Sequence, residues 1–143
     1  MTTELIFRNR IQQLKEESLK LPQVEVPLQH YFSTGVYARE MYVKAGTTIT
    51  GKIHKDSTVD ILLQGVIVVV DDQGIPRKLT APMVYESKPG ISKAGHVLED
   101  VRWVTVHGVD TDTRDIAELE SRLVVEDYQQ YLEHCKTLQL EEK

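Results

Sequence analysis

Two neighbouring stretches of the chain place basic, hydroxyl and carboxylate side chains on faces that can share one pocket. Alternation in a predicted strand over residues 47–54 puts four side chains on the same face: Thr48, Thr50, Lys52 and His54. In a second predicted strand, over residues 59–63, Asp60 and Leu62 lie on the face shared with Thr58. Lysine and histidine bind the oxygens of phosphates and carboxylates, whereas histidine and carboxylate together hold metal ions. The alternation therefore predicts a polar pocket, because an unpaired buried charge costs several kcal/mol.

Helical segments are predicted on either side of these strands. Phe7, Ile11 and Leu14 recur at the spacing of one helix face, which predicts an amphipathic helix over residues 3–20. Pro22 ends this helix, and residues 22–27 form an extended connector because proline restricts the residue before it. From Asp110 the alternation stops, and helical spacing predicts segments over residues 115–123 and about 126–138.

Between these helices the hydrophobic period changes to that of β-strands. The predicted strands cover residues 28–32, 36–43, 47–54, 59–63, 66–70, 77–79, 83–87 and 101–107. Turn residues such as Gln64-Gly65 and Pro89-Gly90 separate them. Many short strands with tight turns indicate a sandwich or barrel. We expect a mainly β fold, with an N-terminal helix and connector over 1–27, a barrel over 28–109 and a helical appendage over 110–143.

Composition excludes some functions. The 143 residues include 17 Lys and Arg against 22 Asp and Glu, a net charge of −5. This balance argues against nucleic-acid binding, which needs a surplus of basic residues. No apolar run approaches the roughly 20 residues that span a membrane. We expect a cytoplasmic, soluble protein with its single cysteine, Cys135, reduced.

The stretch 30–107 resembles the cupin superfamily, and most closely the small stand-alone cupins of bacteriophage genomes. The resemblance is carried by the run GVYAREMYVKAGTTITGKIHK at 35–55 and by the later run VLEDVRW at 97–103. It implies a double-stranded β-helix, or jelly-roll, barrel around a pocket. It also implies a phage-encoded protein acting in the host cell cytoplasm.

The resemblance also aligns this chain with two metal-binding motifs of cupins. Lys52 and His54 stand where the first motif has His-x-His, and Thr58 stands at its glutamate. Lys93 stands at the histidine of the second motif, Pro-x-Gly-x-x-His, and His96 lies three residues further along. A protonated lysine has no lone pair to offer and repels a cation, so these substitutions argue against a metal cofactor.

Three hypotheses fit the pocket residues. In the first, Lys52 and Lys93 supply charge to a small anionic, nucleotide-like or metabolite-like ligand, together with His54, Thr58 and Asp60. In the second, Asp60 pairs with Lys52 and His54 is a hydrogen-bonded neutral imidazole, in a structural network of a barrel that binds nothing. Such a chain would be a structural or virion-associated scaffold protein. In the third, a metal-dependent enzyme uses His54, His96 and a carboxylate, Asp60 or Asp56, after a bulge turns His96 inward.

We favour non-catalytic binding of the anionic ligand and assign no catalytic residues. The three other histidines, His30, His107 and His134, are predicted to be surface or capping residues. Cys135 and His134 are adjacent on a predicted helix, where their side chains point about 100° apart, so they do not form a catalytic pair. Because cupins commonly dimerise and the helical appendages have apolar faces, we expect a homo-oligomer.

Overall fold

The computed structural model describes residues 2–141. The helices are α1 (Thr3–Leu19), α2 (Ile116–Leu123) and α3 (Tyr128–Glu141). The strands are β1 (Leu28–Ser33), β2 (Val36–Val43), β3 (Thr48–Thr50), β4 (Ile53–His54), β5 (Thr58–Asp71), β6 (Arg77–Thr80), β7 (Met83–Ser87), β8 (Lys93–Gly108) and β9 (Val124–Val125). Met1, Glu142 and Lys143, which belong to the predicted terminal segments, lie outside the described residues. The mainly β fold with helices at both ends is confirmed.

The strands form one large antiparallel sheet and one short ribbon. The sheet has the order β1-β2-β8-β5-β6, with β3 on β8 and β7 on β5. The two long strands β5 and β8 run through its centre and pair with each other along most of their length. The first half of β5 also pairs with β7, and its second half pairs with β6.

A bulge in β5 separates these two halves. The register with β8 shifts around Gln64 and Val66, and Gly65 between them has φ +95°. A Cβ at this position would lie 2.2 Å from the carbonyl oxygen of Asp100, so only glycine fits. The prediction of a turn at Gln64-Gly65 is therefore wrong: the glycine bends one continuous strand.

The main core lies inside the sheet. It consists of eight buried side chains: Val43, Leu62, Ile67, Val69, Leu79, Val97, Val101 and Trp103. A second, smaller core forms where α2 packs on β2, because Leu119 and Leu123 are buried against Tyr37. The C-terminal appendage thus packs on its own barrel. No helix within residues 2–141 is long and apolar enough to cross a membrane.

The segment after α2 also joins the strands. Val124 and Val125 form β9, which pairs with Ile53 and His54 of β4. Sequence periodicity does not predict this two-residue ribbon, since it is too short to show a pattern. It holds the start of the C-terminal region beside Lys52 and His54.

Candidate functional site

A cavity of about 310 Å³ lies inside the barrel. Its walls combine apolar side chains with basic and hydroxyl side chains. The lining residues are Val26, Arg39, Met41, Ile49, Thr50, Gly51, Lys52, His54, Asp60, Ile67, Val69, Ser87, Lys88, Ile91, Lys93, Ala94, Gly95, Trp103 and Thr105. Of the residues predicted for the pocket, Lys52, His54, Asp60 and Lys93 all line it.

Asp60 is the polar centre of the cavity wall and is only 2% exposed. Its Oδ1 accepts hydrogen bonds from Trp103 Nε1 at 3.2 Å and Thr105 Oγ1 at 3.0 Å. Its Oδ2 accepts from Thr58 Oγ1 at 3.4 Å and from Ser87 Oγ. These donors come from β5, β7 and β8, because antiparallel register sets Asp60 opposite Thr105. The carboxylate is thus satisfied by the protein itself.

Lys93 is the cation that faces Asp60. Its Nζ lies 3.9 Å from Asp60 Oδ2 and donates a hydrogen bond to Ser87 Oγ at 2.7 Å. Burial lowers the pKa of Lys93, and the negative charge of Asp60 opposes that shift. The hypothesis that Asp60 pairs with Lys52 is wrong, because the start of β8 brings Lys93 to the carboxylate instead.

Lys52 forms its ion pairs with the C-terminal region. Its Nζ lies 3.3 Å from Glu120 Oε2 on α2 and 3.4 Å from Glu126 Oε1, just before α3. Glu120 Oε1 in turn lies 3.8 Å from Arg39 Nη1, a second basic group that lines the cavity. One carboxylate therefore bridges Arg39 and Lys52 at the cavity wall.

Two histidines, the half-buried His54 and the buried His107, lie beside this basic group. The rings of His54 and His107 meet edge to face, with centroids 5.2 Å apart, and His107 also stacks on Tyr37 at 5.7 Å. Burial lowers the pKa of each imidazole to about 4. Both rings are therefore neutral near pH 7. The prediction that His107 is a surface or capping residue is wrong, because its side chain is only 5% exposed.

Comparison with known proteins identifies the barrel. The sequence matches no protein-family model and no curated protein. Among solved structures, a cupin superfamily protein from Desulfitobacterium hafniense is 15% identical, with a TM-score of 0.52 over 63% of this chain and 83% of its own. KdgF from a Halomonas species is 14% identical, with a TM-score of 0.52 over 64% of this chain and 88% of its own. The DMSP lyase DddQ from Ruegeria pomeroyi is 16% identical, with a TM-score of 0.52 over 62% of this chain and 49% of its own.

The chain has the cupin fold. The double-stranded β-helix predicted from the resemblance is thereby confirmed. Proteins that share this cupin barrel include a lyase, so the fold is compatible with catalysis as well as with binding. The function has to be argued from the cavity.

The residues of this cupin barrel do not fit a metal ion. His54 and Asp60 line the cavity, but both oxygens of Asp60 already accept hydrogen bonds. His96 is exposed and its Nδ1 lies 2.8 Å from the hydroxyl of Thr48, outside the cavity lining. Asp56 is exposed as well. The structure thus does not bring His54 and His96 together, and residues 2–141 hold no group of three His, Cys, Asp or Glu side chains arranged for a metal.

Thr58 contacts Asp60 from outside the cavity lining. It is 5% exposed, is not part of the cavity lining, and donates its hydroxyl hydrogen to Asp60. In this arrangement Thr58 does not reach the cavity, so it cannot donate the predicted hydrogen bond to a ligand there. Arg39, Trp103 and Thr105 are cavity residues that the sequence reasoning missed. Alternation in β2 sets Arg39 on the face of Tyr37, but only the strand order directs that face inward.

Replacing Asp60 with asparagine tests whether the buried carboxylate holds three strands together. The amide would turn N–H groups toward side chains that now donate, and Lys93 would lose its counter-charge. We expect Asp60→Asn to lower the free energy of unfolding by about 3–5 kcal/mol, measured by urea denaturation. Asp56→Asn, at an exposed carboxylate, is the matched control and should change it by less than about 0.5 kcal/mol. Equal unfolding midpoints for both variants would contradict this role of Asp60.

The two histidines predict a pH dependence of stability. Their pKa of about 4 in the folded protein lies below the ordinary 6.5, so between these values the unfolded chain binds protons that the folded chain does not. The free energy of unfolding should therefore fall as the pH is lowered from 6.5 to 4. His54→Gln and His107→Gln should each make this decline shallower in urea titrations. A decline equally steep in the wild type and both variants would rule out the histidines as its source.

Proposed function

We propose that this protein binds a small anionic molecule in the barrel cavity without transforming it. The carrying observation is the charge of the wall: four basic side chains, Arg39, Lys52, Lys88 and Lys93, line the cavity, and Asp60 is the one carboxylate among the described lining residues. Lys93 balances Asp60, which leaves Arg39, Lys52 and Lys88. The first two are paired with Glu120, which lies outside the cavity lining. Such a wall attracts an anion into a site that excludes much of the solvent.

The basic groups have complementary roles in this proposal. The planar guanidinium of Arg39 can bind two oxygens of a carboxylate or phosphate at once, whereas the ammonium of Lys52 acts as a point charge. The neutral ring of His54 and the hydroxyl of Thr50, both in the lining, supply hydrogen bonds that orient the ligand. Asp60 and Thr58 hold Lys93 and the strands in place.

Glu120 competes with the proposed anionic ligand for Arg39 and Lys52. Its carboxylate already bridges Arg39 and Lys52, at 3.8 and 3.3 Å. An incoming anion must therefore displace it or share the two cations with it. The Glu120 side chain is 37% exposed, so water can hydrate its carboxylate when it leaves the two cations.

The two other hypotheses remain as outcomes to test. A metal-dependent enzyme is disfavoured by the donors in the cavity, and a structural or virion-associated scaffold needs no ligand. A phage origin stays a prediction from the sequence resemblance.

Anion binding can be followed with the single tryptophan of the chain, Trp103, which lines the cavity. We expect its fluorescence to report saturable binding of at least one of inorganic phosphate, adenosine 5′-monophosphate and hexanoate, and no binding of adenosine or hexanol. Lys52→Ala should weaken binding about tenfold or more, because it removes a charge-assisted hydrogen bond. Glu120→Gln should strengthen binding several-fold, because it removes the carboxylate that bridges Arg39 and Lys52 and leaves Lys52 paired with the exposed Glu126.

The control for these variants is Lys78→Ala, at an exposed lysine on β6 outside the cavity lining. Unchanged affinity in Lys52→Ala, or no saturable binding of any of the three anions, would overturn the proposal. Near-stoichiometric iron, manganese, nickel or zinc in the purified protein, lost in His54→Ala, would instead favour the metal-dependent enzyme.

We also propose that a second copy of the chain covers the outer face of the sheet. Antiparallel register sets Tyr31, Ala38, Val106 and Val59 in one row across β1, β2, β8 and β5. Tyr31 and Val59 are 47% and 40% exposed. The carboxylate in the adjoining row, Glu40, is neutralised by two hydrogen bonds from Arg102, at 3.1 and 3.0 Å. Two copies of an acidic chain can meet on this part of the sheet without setting unpaired charges against each other.

The outer-face proposal predicts a dimer that one substitution separates. Val59→Lys places a charge in the apolar row, and it should shift sedimentation equilibrium from dimer to monomer. Ile75→Lys is the matched control, since Ile75 is 67% exposed in the β5–β6 turn, and it should leave the dimer intact. A wild-type protein that is monomeric at tens of micromolar concentration would contradict the proposal.

A further inference from the structure

The cavity has an apolar side that anion binding alone does not use. Ile67, Val69 and Trp103 belong to the main core and also line the cavity. Val26, Met41 and Ile49 pack against that core and line the cavity as well. On this side, the core side chains themselves form the cavity wall. A ligand would therefore meet mainly carbon atoms there.

The indole of Trp103 shows how this apolar character is kept. Its one polar atom, Nε1, donates to Asp60 at 3.2 Å, which leaves the ring as an apolar surface toward the cavity. Tyr85 packs edge to face on the same indole, with centroids 5.9 Å apart, and fixes its orientation. Asp60 therefore accepts the one hydrogen-bond donor of the indole, so that this donor does not face a ligand, and the same carboxylate pairs with Lys93.

We infer that the ligand is an organic acid with an apolar body, of the class of medium-chain or aryl-substituted carboxylates. The inference rests on the proposed function and specifies it. The acid group replaces the Glu120 carboxylate between Arg39 and Lys52, and the apolar body lies along Ile49, Val69 and Trp103. A sugar or polyol body would bury hydroxyls against these side chains without hydrogen-bond partners, which is unfavourable.

The size of the cavity limits the length of the acid. A volume of 310 Å³ equals the share of about ten water molecules in the liquid. An acid of about ten heavy atoms fills it, which among straight-chain carboxylates corresponds to octanoate. Longer chains have to leave the cavity through its opening.

A series of straight-chain carboxylates from butyrate to decanoate, with the matching alcohols, tests the inference through Trp103 fluorescence. We expect affinity to rise about fourfold per added methylene, the factor that corresponds to burying one such group, and to level off near octanoate. The alcohols should bind far more weakly at every length. Ile49→Phe should shorten the best chain by about one methylene, because the larger side chain takes up that much of the apolar side.

Ile75→Phe is the matched control, since Ile75 is 67% exposed outside the cavity lining, and it should leave the preferred length unchanged. Thermal unfolding of both variants confirms that each is folded before its affinities are compared. Saturable binding of phosphate or adenosine 5′-monophosphate, with carboxylates showing no dependence on length, would overturn the apolar body and leave the proposed function standing. Acids and alcohols binding equally well, or no binding by any probe, would overturn both.

Discussion

The buried carboxylate of Asp60 sets the constraint on which the rest of the cavity depends. A charge that is 2% exposed is stable only if the protein replaces the water around it. The chain does so with hydroxyls from Thr58, Ser87 and Thr105 and with the indole of Trp103. Because these donors lie on three strands, satisfying one carboxylate fixes the relative register of β5, β7 and β8. The interior of the barrel is thus organised around a polar group.

A second consequence concerns charge. Lys93 is drawn to Asp60 and shares Ser87 with it, so its positive charge is largely used inside the protein. Lys52 and Arg39 have partners of another kind, since Glu120 and Glu126 come from the C-terminal region and are partly exposed. Lys52 and Arg39 are paired with glutamates that can move into solvent, whereas Lys93 is paired with the buried Asp60, which cannot. The β4–β9 ribbon therefore couples the helical appendage to the side of the cavity that holds Arg39 and Lys52.

Local pattern predicted the helices, most of the strands and part of the site, but not the continuity of β5, the start of β8 at Lys93 or the β4–β9 ribbon. Alternation alone set Lys52 and His54 on one face, and the cupin resemblance added Lys93, which lines the same cavity. Partners could not be predicted in the same way, because they depend on distant strands: Asp60 pairs with Lys93, and Lys52 pairs with α2. Gly65 shows a related limit, since a glycine beside Gln64 looks the same in sequence at a turn and at a bulge. Only the approach of the Asp100 carbonyl distinguishes the two.

The same physical argument accounts for the poor fit of the cavity to a metal ion. A metal site needs neutral or anionic donors with free lone pairs, and the lone pairs of Asp60 are occupied by hydroxyl and indole hydrogens. The cation beside this enclosed carboxylate is the ammonium of Lys93, 3.9 Å from Asp60 Oδ2. The Asp60–Lys93 pair is then neutral as a unit, so the charge that a ligand meets is set by Arg39, Lys52 and Glu120. In the proposed binding function, selectivity would therefore come from this group of charges and from the apolar side chains of the lining.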